Sequence, residues 1–112
     1  IAGSTALLFC TPEYAGTLPG SMKNLLDWTV GGIEMVDRPV AWVNAAADPR
    51  RGGGAHATLA TVLGYVQARV VKDACRDVPV AREAVGPDGL VADEAIRAAI
   101  RDVLAALVAG AA

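Results

Sequence analysis

Short apolar runs alternate with helical patterns along this chain, and this alternation limits the possible folds more than any other feature. The run TALLFC, from Thr5 to Cys10, is almost continuously apolar, as in a parallel strand that is covered on both faces. A second run, PVAWVNA from Pro39 to Ala45, repeats the pattern, and ARVVKDAC is a weaker third strand candidate. Strands that alternate with helices predict an α/β fold with a parallel sheet and right-handed crossovers.

Helical periodicity follows each of the first two strands. The segment from Gly20 to Val30 is predicted as a helix that Ser21 helps to cap and that the Gly31-Gly32 pair ends. Its buried face is formed by Met22, Leu25 and Leu26. After the breaker-rich loop ADPRRGGGAH, apolar residues recur at i, i+3, i+4 and i+7 of a second helix, namely at Leu59, Val62, Leu63 and Val66.

The last helix has the clearest signal. Asp93 is its predicted N-cap, and Glu94 in the first turn complements the helix dipole. A turn is predicted just upstream, at residues 86–89. Arg97 and Arg101 are expected to face water. The buried stripe is predicted to consist of Ile96, Ile100, Val103, Leu104 and Leu107.

Composition excludes several classes of function. The chain has 112 residues, which is enough for one domain, and 54% of them are hydrophobic, so a buried core is expected. The net charge of −2 and the scattered basic residues argue against nucleic-acid binding. No apolar run reaches the roughly 20 residues of a membrane span, and no signal peptide is visible. Cys10 and Cys75 are predicted as reduced core thiols of a cytoplasmic protein, and a single histidine gives no metal site.

Two irregular loops are expected to lie side by side. Residues 11–18 follow the first strand and residues 46–54 follow the second. In parallel sheets the carboxyl ends of the strands share one edge, and ligands bind there. Neither loop contains a nucleophile with its base or a set of metal ligands, so the pair is better suited to holding a flat ligand than to attacking one. His56, just after the second loop, is predicted to have a surface or capping role.

The first loop and its helix carry a specific motif. The stretch TPEYAGTLPGSMKNLLDW resembles the second flavin-binding loop of the NAD(P)H-dependent FMN reductase family, whose usual form is T-P-E-Y-N-x-x-x-P-G-x-L-K-N-x-[IL]-D-W. Further along, RPVAWVNAAADPRRGGG is similar to the family's K-P-V strand and G-R-x-G-G loop, and DGLVADEAIRAAIRDVLAAL to its last helix. The matching positions of the first motif are Thr11, Pro12, Glu13, Tyr14, Pro19, Gly20, Lys23, Asn24, Asp27 and Trp28.

This resemblance implies a flavodoxin-like three-layer sandwich that binds FMN. Hydride would pass from NADPH or NADH through the flavin to a small-molecule electron acceptor such as a flavin or quinone. No catalytic side chain is expected, because the cofactor does the chemistry. A homodimer or homotetramer is implied, with Gly20 to Val30 as a candidate contact and Trp28 in the core or at the interface. The cofactor-binding residues carried over from the family are Pro12, Glu13, Tyr14, Ala15, Asp48, Arg51, Gly52 and Gly53.

The chemistry of these residues agrees with the resemblance. Backbone N–H groups in a loop shaped by proline and glycine can hydrogen-bond the carbonyl and ring-nitrogen atoms of a flavin. Tyr14 offers a face for stacking. Either Arg50 or Arg51 is available to a cofactor phosphate.

The sequence departs from the family in two places. Ala15 stands where the family usually has Asn, and the G-S-x-R-x-x-S-x-N phosphate loop is absent from these residues. We therefore expect residues 1–112 to be a single reductase domain that is incomplete at its N-terminus, lacks the first two βα units, and holds flavin poorly by itself. The alternatives are a non-catalytic flavodoxin-like electron carrier or oligomerisation module, and a truncated domain that binds nothing. The arginines of DPRRGGG favour the reductase.

Overall fold

Four parallel strands form the central sheet of the computed structural model, which describes residues 1–112. Strand β1 (Leu7–Phe9) pairs with β2 (Pro39–Asn44), and β2 also pairs with β3 (Arg69–Val70) and β4 (Arg76–Asp77). The helices are α1 (Gly20–Asp27), α2 (Gly53–Tyr65) and α3 (Glu94–Ala111), with single 3-10 turns at Lys72–Ala74 and Arg82–Ala84. The predicted α/β fold with a parallel sheet is confirmed.

The side chains of β2 alternate between two cores, and this alternation creates the three layers. Val40 points into the larger cluster, whereas Ala41 and Val43 pack on the opposite face, against Leu107 and Val103 of α3. The larger cluster also contains Phe9, Leu18, Leu26, Met35, Ala55, Leu59 and Leu63. Helices α1 and α2 thus cover one face of the sheet and α3 covers the other.

The helix α2 supplies the most deeply buried side chains of the larger core. Leu59 and Leu63 are completely buried, and Val62 and Val66 are half-buried beside them, as the periodicity predicts. Burial of each leucine contributes on the order of 2–3 kcal/mol relative to exposure. This packing fixes α2 against the sheet and so determines where its N-terminus lies.

Helix α1 is shorter than predicted. It ends at Asp27, because the Thr29 hydroxyl and its backbone N–H both donate to the carbonyl of Leu26, at 2.7 and 3.0 Å, and so replace the next helical bonds. The predicted capping role of Ser21 is wrong, since Ser21 is already inside the helix and Pro19 occupies the cap position without a side-chain bond. Leu25, predicted to be buried, is exposed.

Helix α3 confirms its predicted start and most of its predicted stripe. The Asp93 side chain accepts a hydrogen bond from the N–H of Ile96, and Arg97 and Arg101 are exposed. Leu104 is 45% exposed, so its predicted burial is wrong. The narrow sheet covers a single row on this helix, which consists of Ile96, Ile100, Val103 and Leu107.

Only a short part of the third predicted strand is a strand in the structure. Within ARVVKDAC, residues 69–70 form β3 and residues 72–74 form a 3-10 turn, and β4 begins at Arg76, after the predicted segment. The predicted turn at residues 86–89 is confirmed by a hydrogen bond from the N–H of Gly89 to the carbonyl of Gly86. None of the three helices has the combination of length and apolar character that a membrane span requires.

Candidate functional site

A cavity of about 530 Å³ lies at the carboxyl edge of the sheet, between the loops that follow β1 and β2. The two strands are paired in parallel, so their loops leave the sheet at the same edge, as the sequence predicts. The lining residues are Cys10, Thr11, Pro12, Glu13, Asn44, Ala45, Ala46, Arg51 and Gly52.

The side chain of Glu13 joins the first loop to the helix that follows the second. Its Oε1 accepts hydrogen bonds from the N–H groups of Gly54 at 2.7 Å and Ala55 at 3.3 Å. Helix α2 has no side-chain cap of its own, because Gly52 occupies the cap position. A helix N-terminus has free N–H groups and a positive dipole, and a carboxylate satisfies both. Glu13 is therefore the cap of α2, supplied from the neighbouring loop.

Close backbone approach explains two glycines of the second loop. A Cβ at Gly54 would overlap the carbonyl oxygen of Gly16 and lie 2.6 Å from Oε1 of Glu13. Gly52 has a φ of +88°, and a Cβ there would overlap the side-chain oxygen of Asn44. Both positions need glycine so that the two loops and β2 can pack together.

Asn44, the last residue of β2, fixes the second loop. Its Nδ2 donates to the carbonyl of Arg51 at 2.8 Å and to Oδ1 of Asp77 at 2.9 Å. Its Oδ1 accepts from the N–H of Ala46 at 3.2 Å. Our sequence reasoning missed this residue. The sequence feature that could have identified it is a single asparagine near the end of the otherwise apolar run PVAWVNA.

The predicted cofactor residues divide into two groups in the structure. Those that line the cavity are Pro12, Glu13, Arg51 and Gly52, and those that do not are Tyr14, Ala15, Asp48 and Gly53. Tyr14 is 62% exposed and lies with Pro12 in an adjoining shallow depression of about 380 Å³. Tyr14 and Thr17 exchange backbone hydrogen bonds across a tight turn in which Ala15 and Gly16 have φ of +50° and +80°.

The two arginines of the second loop have different surroundings. Arg50 is held by Asp48, with its Nε 2.9 Å from Oδ1 and its Nη2 2.7 Å from Oδ2. The hydrogen-bonded Arg50 side chain lowers the pKa of Asp48, and Asp48 raises the pKa of Arg50. Arg51 lines the cavity and has no ion-pair partner. Of the two candidates for a phosphate contact, the structure brings Arg51 to the cavity.

His56 is buried, so its predicted surface or capping role is wrong. Only 8% of the residue is exposed, and its ring stacks on Trp42 with centroids 6.2 Å apart and planes at 12°. It lies in a second cavity of about 280 Å³ that shares Asn44 with the first. Its Nε2 has no hydrogen-bond partner. Burial lowers the pKa of His56, and the Asp77 carboxylate partly opposes this shift.

The two cysteines are free, and one of them is misplaced by the sequence prediction. Cys10 is exposed rather than in the core, because it follows β1 out of the sheet. Cys75 is half-buried, and burial raises the pKa of its thiol, so it stays protonated near neutral pH.

The hydrogen-bonding groups of the first cavity fit a flat heterocycle with carbonyl and ring-nitrogen acceptors. The backbone N–H groups of Thr11, Glu13 and Gly52 donate no hydrogen bond within the chain. Pro12 and two alanines provide apolar wall between these polar groups. The one carboxylate among the lining residues, that of Glu13, already accepts a hydrogen bond from the N-terminus of α2. The site therefore offers donors and surface for a ligand such as FMN, with no nucleophile prepared by a base.

Comparison with known proteins gives concordant matches. The family model for NADPH-dependent FMN reductase matches residues 1–81, which include both loops of the cavity. An NADPH azoreductase from Bacillus sp. (strain OY1-2) is 32% identical over 78 residues, which cover 65% of this chain and 43% of that protein. The chain thus spans less than half the length of this curated relative.

Solved structures match over nearly the whole chain. FerB, a flavoenzyme NAD(P)H:(acceptor) oxidoreductase from Paracoccus denitrificans, has a TM-score of 0.75 and 27% identity, covering 96% of this chain and 61% of that one. An oxidoreductase from Corynebacterium diphtheriae has a TM-score of 0.57 at 22% identity, covering 96% and 58%, and this likeness concerns the fold alone.

Replacing Gly54 with alanine is expected to destabilise the protein, because the new methyl group overlaps the backbone of the first loop. We expect a loss of about 1–3 kcal/mol in the free energy of unfolding, measured by urea titration. Gly53→Ala is the matched control, since a Cβ there meets nothing within 4 Å. It should be neutral or stabilising by up to about 1 kcal/mol. Equal losses from both variants would contradict the close approach of the two loops.

Replacing His56 with phenylalanine is expected to reduce the loss of stability in mild acid. The folded-state pKa of His56 is lowered, so the unfolded chain takes up its proton first as the pH falls. The free energy of unfolding should therefore fall more steeply for the wild type than for His56→Phe between about pH 7 and pH 5.5. Phenylalanine keeps a flat ring against Trp42, and the chain has no other histidine. The free energy of unfolding is measured by urea titration at each pH. An equal dependence on pH in the wild type and in His56→Phe would contradict the buried neutral imidazole.

Proposed function

Because this chain belongs to the NADPH-dependent FMN reductase family, we propose that its cavity between the loops after β1 and β2 holds the flavin ring of an NAD(P)H-dependent oxidoreductase. The observation that carries the proposal is the cavity itself. It lies where parallel sheets bind ligands, and the residues with free N–H groups around it belong to the two loops that the family resemblance assigns to flavin.

The chain's own residues would bind and orient the cofactor. Pro12 and the backbone of Glu13 form one wall, and Arg51 and Gly52 form the other. Tyr14 and Ala15 lie at the outer rim of the first loop, and Asp48 shapes the second loop through its bond to Arg50. FMN supplies the hydride-accepting ring when bound. The protein's contribution is to place the flavin ring against the nicotinamide ring and to exclude water.

Arg51 is our candidate for the contact with a dinucleotide phosphate. It is the one arginine of this loop at the cavity, and its guanidinium forms no ion pair, whereas that of Arg50 is paired with Asp48. This favours the reductase over the carrier alternative, which has no need to bind a nicotinamide dinucleotide. The acceptor would be a small molecule that reaches the flavin after the nicotinamide product has left.

An exposed apolar surface supports assembly into a homodimer or homotetramer. Trp28 and Ile33, in the segment that follows α1, are each 81% exposed, and Val30 lies exposed between them. Trp28 is therefore not a core residue. Large apolar side chains left exposed together in one short segment are typical of an interface. We propose that this segment contacts another subunit and that the enzyme acts in the cytoplasm.

The proposed activity is tested with the protein expressed from its intact gene. The purified protein should carry yellow FMN and oxidise NADPH when FMN or a quinone is added as the acceptor. A folded protein that neither binds FMN nor oxidises NADPH would reject the proposal. Bound flavin that NADPH fails to bleach, while a strong chemical reductant bleaches it, would identify an electron carrier instead.

Replacing Arg51 with alanine is expected to weaken NADPH binding. Loss of a hydrogen bond to a charged phosphate should raise the KM for NADPH by about tenfold and leave kcat within about twofold. The matched control is Arg82→Ala, because Arg82 is exposed outside the cavity and should leave both constants unchanged within error. Steady-state kinetics at fixed quinone concentration measures both. An effect of Arg51→Ala no larger than that of Arg82→Ala would contradict the assignment.

A further inference from the structure

Asp77 lies outside the proposed flavin cavity, yet it contacts the residue that holds one wall of it. We infer that Asp77 is a positioning residue for the cofactor loop and acts through Asn44. The inference rests on the proposed function for its effect on FMN, but the contact itself is independent of any ligand. It adds to the site a residue of the sheet edge that no family motif used above includes.

The topology brings Asp77 to Asn44. Strand β4 pairs in parallel with the end of β2, with Asn44 opposite Asp77 in the register. The N–H of Val78 donates to the carbonyl of Asn44 at 2.9 Å. The backbone therefore fixes β4 beside the last residue of β2, and the side chains of the paired residues meet at 2.9 Å.

The carboxylate of Asp77 helps to fix which way the Asn44 amide faces. An ionised carboxylate can only accept hydrogen bonds, so Asn44 must present its NH₂ group there. The second hydrogen of that group then donates to the carbonyl of Arg51, and the amide oxygen accepts from Ala46. A rotated amide would place an oxygen against the Arg51 carbonyl and lose all three bonds. Asp77 is thus one of three groups that favour this orientation, and it is the one that lies outside the loop.

The wall of the cavity follows from this orientation. Arg51 is bonded to Asn44 through its carbonyl, and Gly52 packs so closely on Asn44 that no Cβ fits between them. Both residues line the cavity. Without the Asp77 acceptor, Asn44 keeps only two of its three bonds, and the backbone of Arg51 and Gly52 is held less firmly. FMN affinity should then fall although Asp77 does not contact the cofactor.

The test compares variants of the protein expressed from its intact gene. Asp77→Ala removes the acceptor, and FMN Kd measured by fluorescence titration should rise by about five- to tenfold, the effect of one net hydrogen bond. Asp77→Asn retains an acceptor oxygen and should restore the Kd to within about twofold of the wild type. Asp102→Ala, an exposed aspartate of α3 with no side-chain hydrogen bond, is the control and should change nothing.

A double-mutant cycle separates positioning from a general structural effect. If Asp77 acts through Asn44, the variant with both Asn44→Ala and Asp77→Ala should bind FMN no more weakly than Asn44→Ala alone. The inference would be overturned if the losses of FMN binding free energy in the two single variants added up in the double variant, or if Asp77→Asn failed to restore binding.

Hydrogen exchange in the ligand-free protein tests the contact without flavin. The amide hydrogen of Ala46, which donates to Asn44, should exchange faster in Asp77→Ala than in the wild type or in Asp77→Asn. Failure of the wild type to bind FMN would reject the proposed function and leave this readout intact. Unchanged exchange at Ala46 in Asp77→Ala would reject the positioning role whatever the ligand.

Discussion

The carboxylate of Glu13 at the start of α2 is the contact on which the arrangement of the site depends. Helix α2 packs Leu59 and Leu63 completely into the core, so its N-terminus has a fixed position, but Gly52 gives it no capping side chain. The free N–H groups of Gly54 and Ala55 need an acceptor. Glu13 supplies it and holds the first loop against Gly54, so this cap joins the two loops that line the cavity.

The fold was largely predictable because its signals are local. An almost continuous apolar run marks β2, and Asp93 marks the start of α3. The helical spacing of apolar residues marks the buried side of α2. Exposure of Leu104 and burial of His56 were not predictable, because each depends on a partner surface that no local pattern contains. Topology alone predicted that the two loops meet. It did not predict which side chains join them, since the bond from Glu13 to Gly54 links residues distant in sequence.

The family motif of the first loop combines residues that shape it with residues that remain exposed. Glu13 caps α2, and Lys23 and Asp27 pair at 2.6 Å on the surface of α1, which is worth only about 0.3–0.5 kcal/mol. Ala15 shows what the departure from the family means physically. Its φ is +50°, a left-handed conformation that asparagine tolerates better than alanine. The backbone conformation therefore favours the family's usual asparagine at this position, whether or not its side chain makes a hydrogen bond.

The charges around the cavity follow from how the loops are joined. A free carboxylate in the wall would repel a ligand that carries phosphate or takes up a hydride, but the charge of Glu13 is directed at the positive end of α2. Asp48 is neutralised by Arg50, which leaves Arg51 as the unpaired charge at the cavity. The contacts that build the walls therefore involve Glu13, Asp48 and Arg50, and Arg51 is the one charged side chain at the cavity that none of them uses.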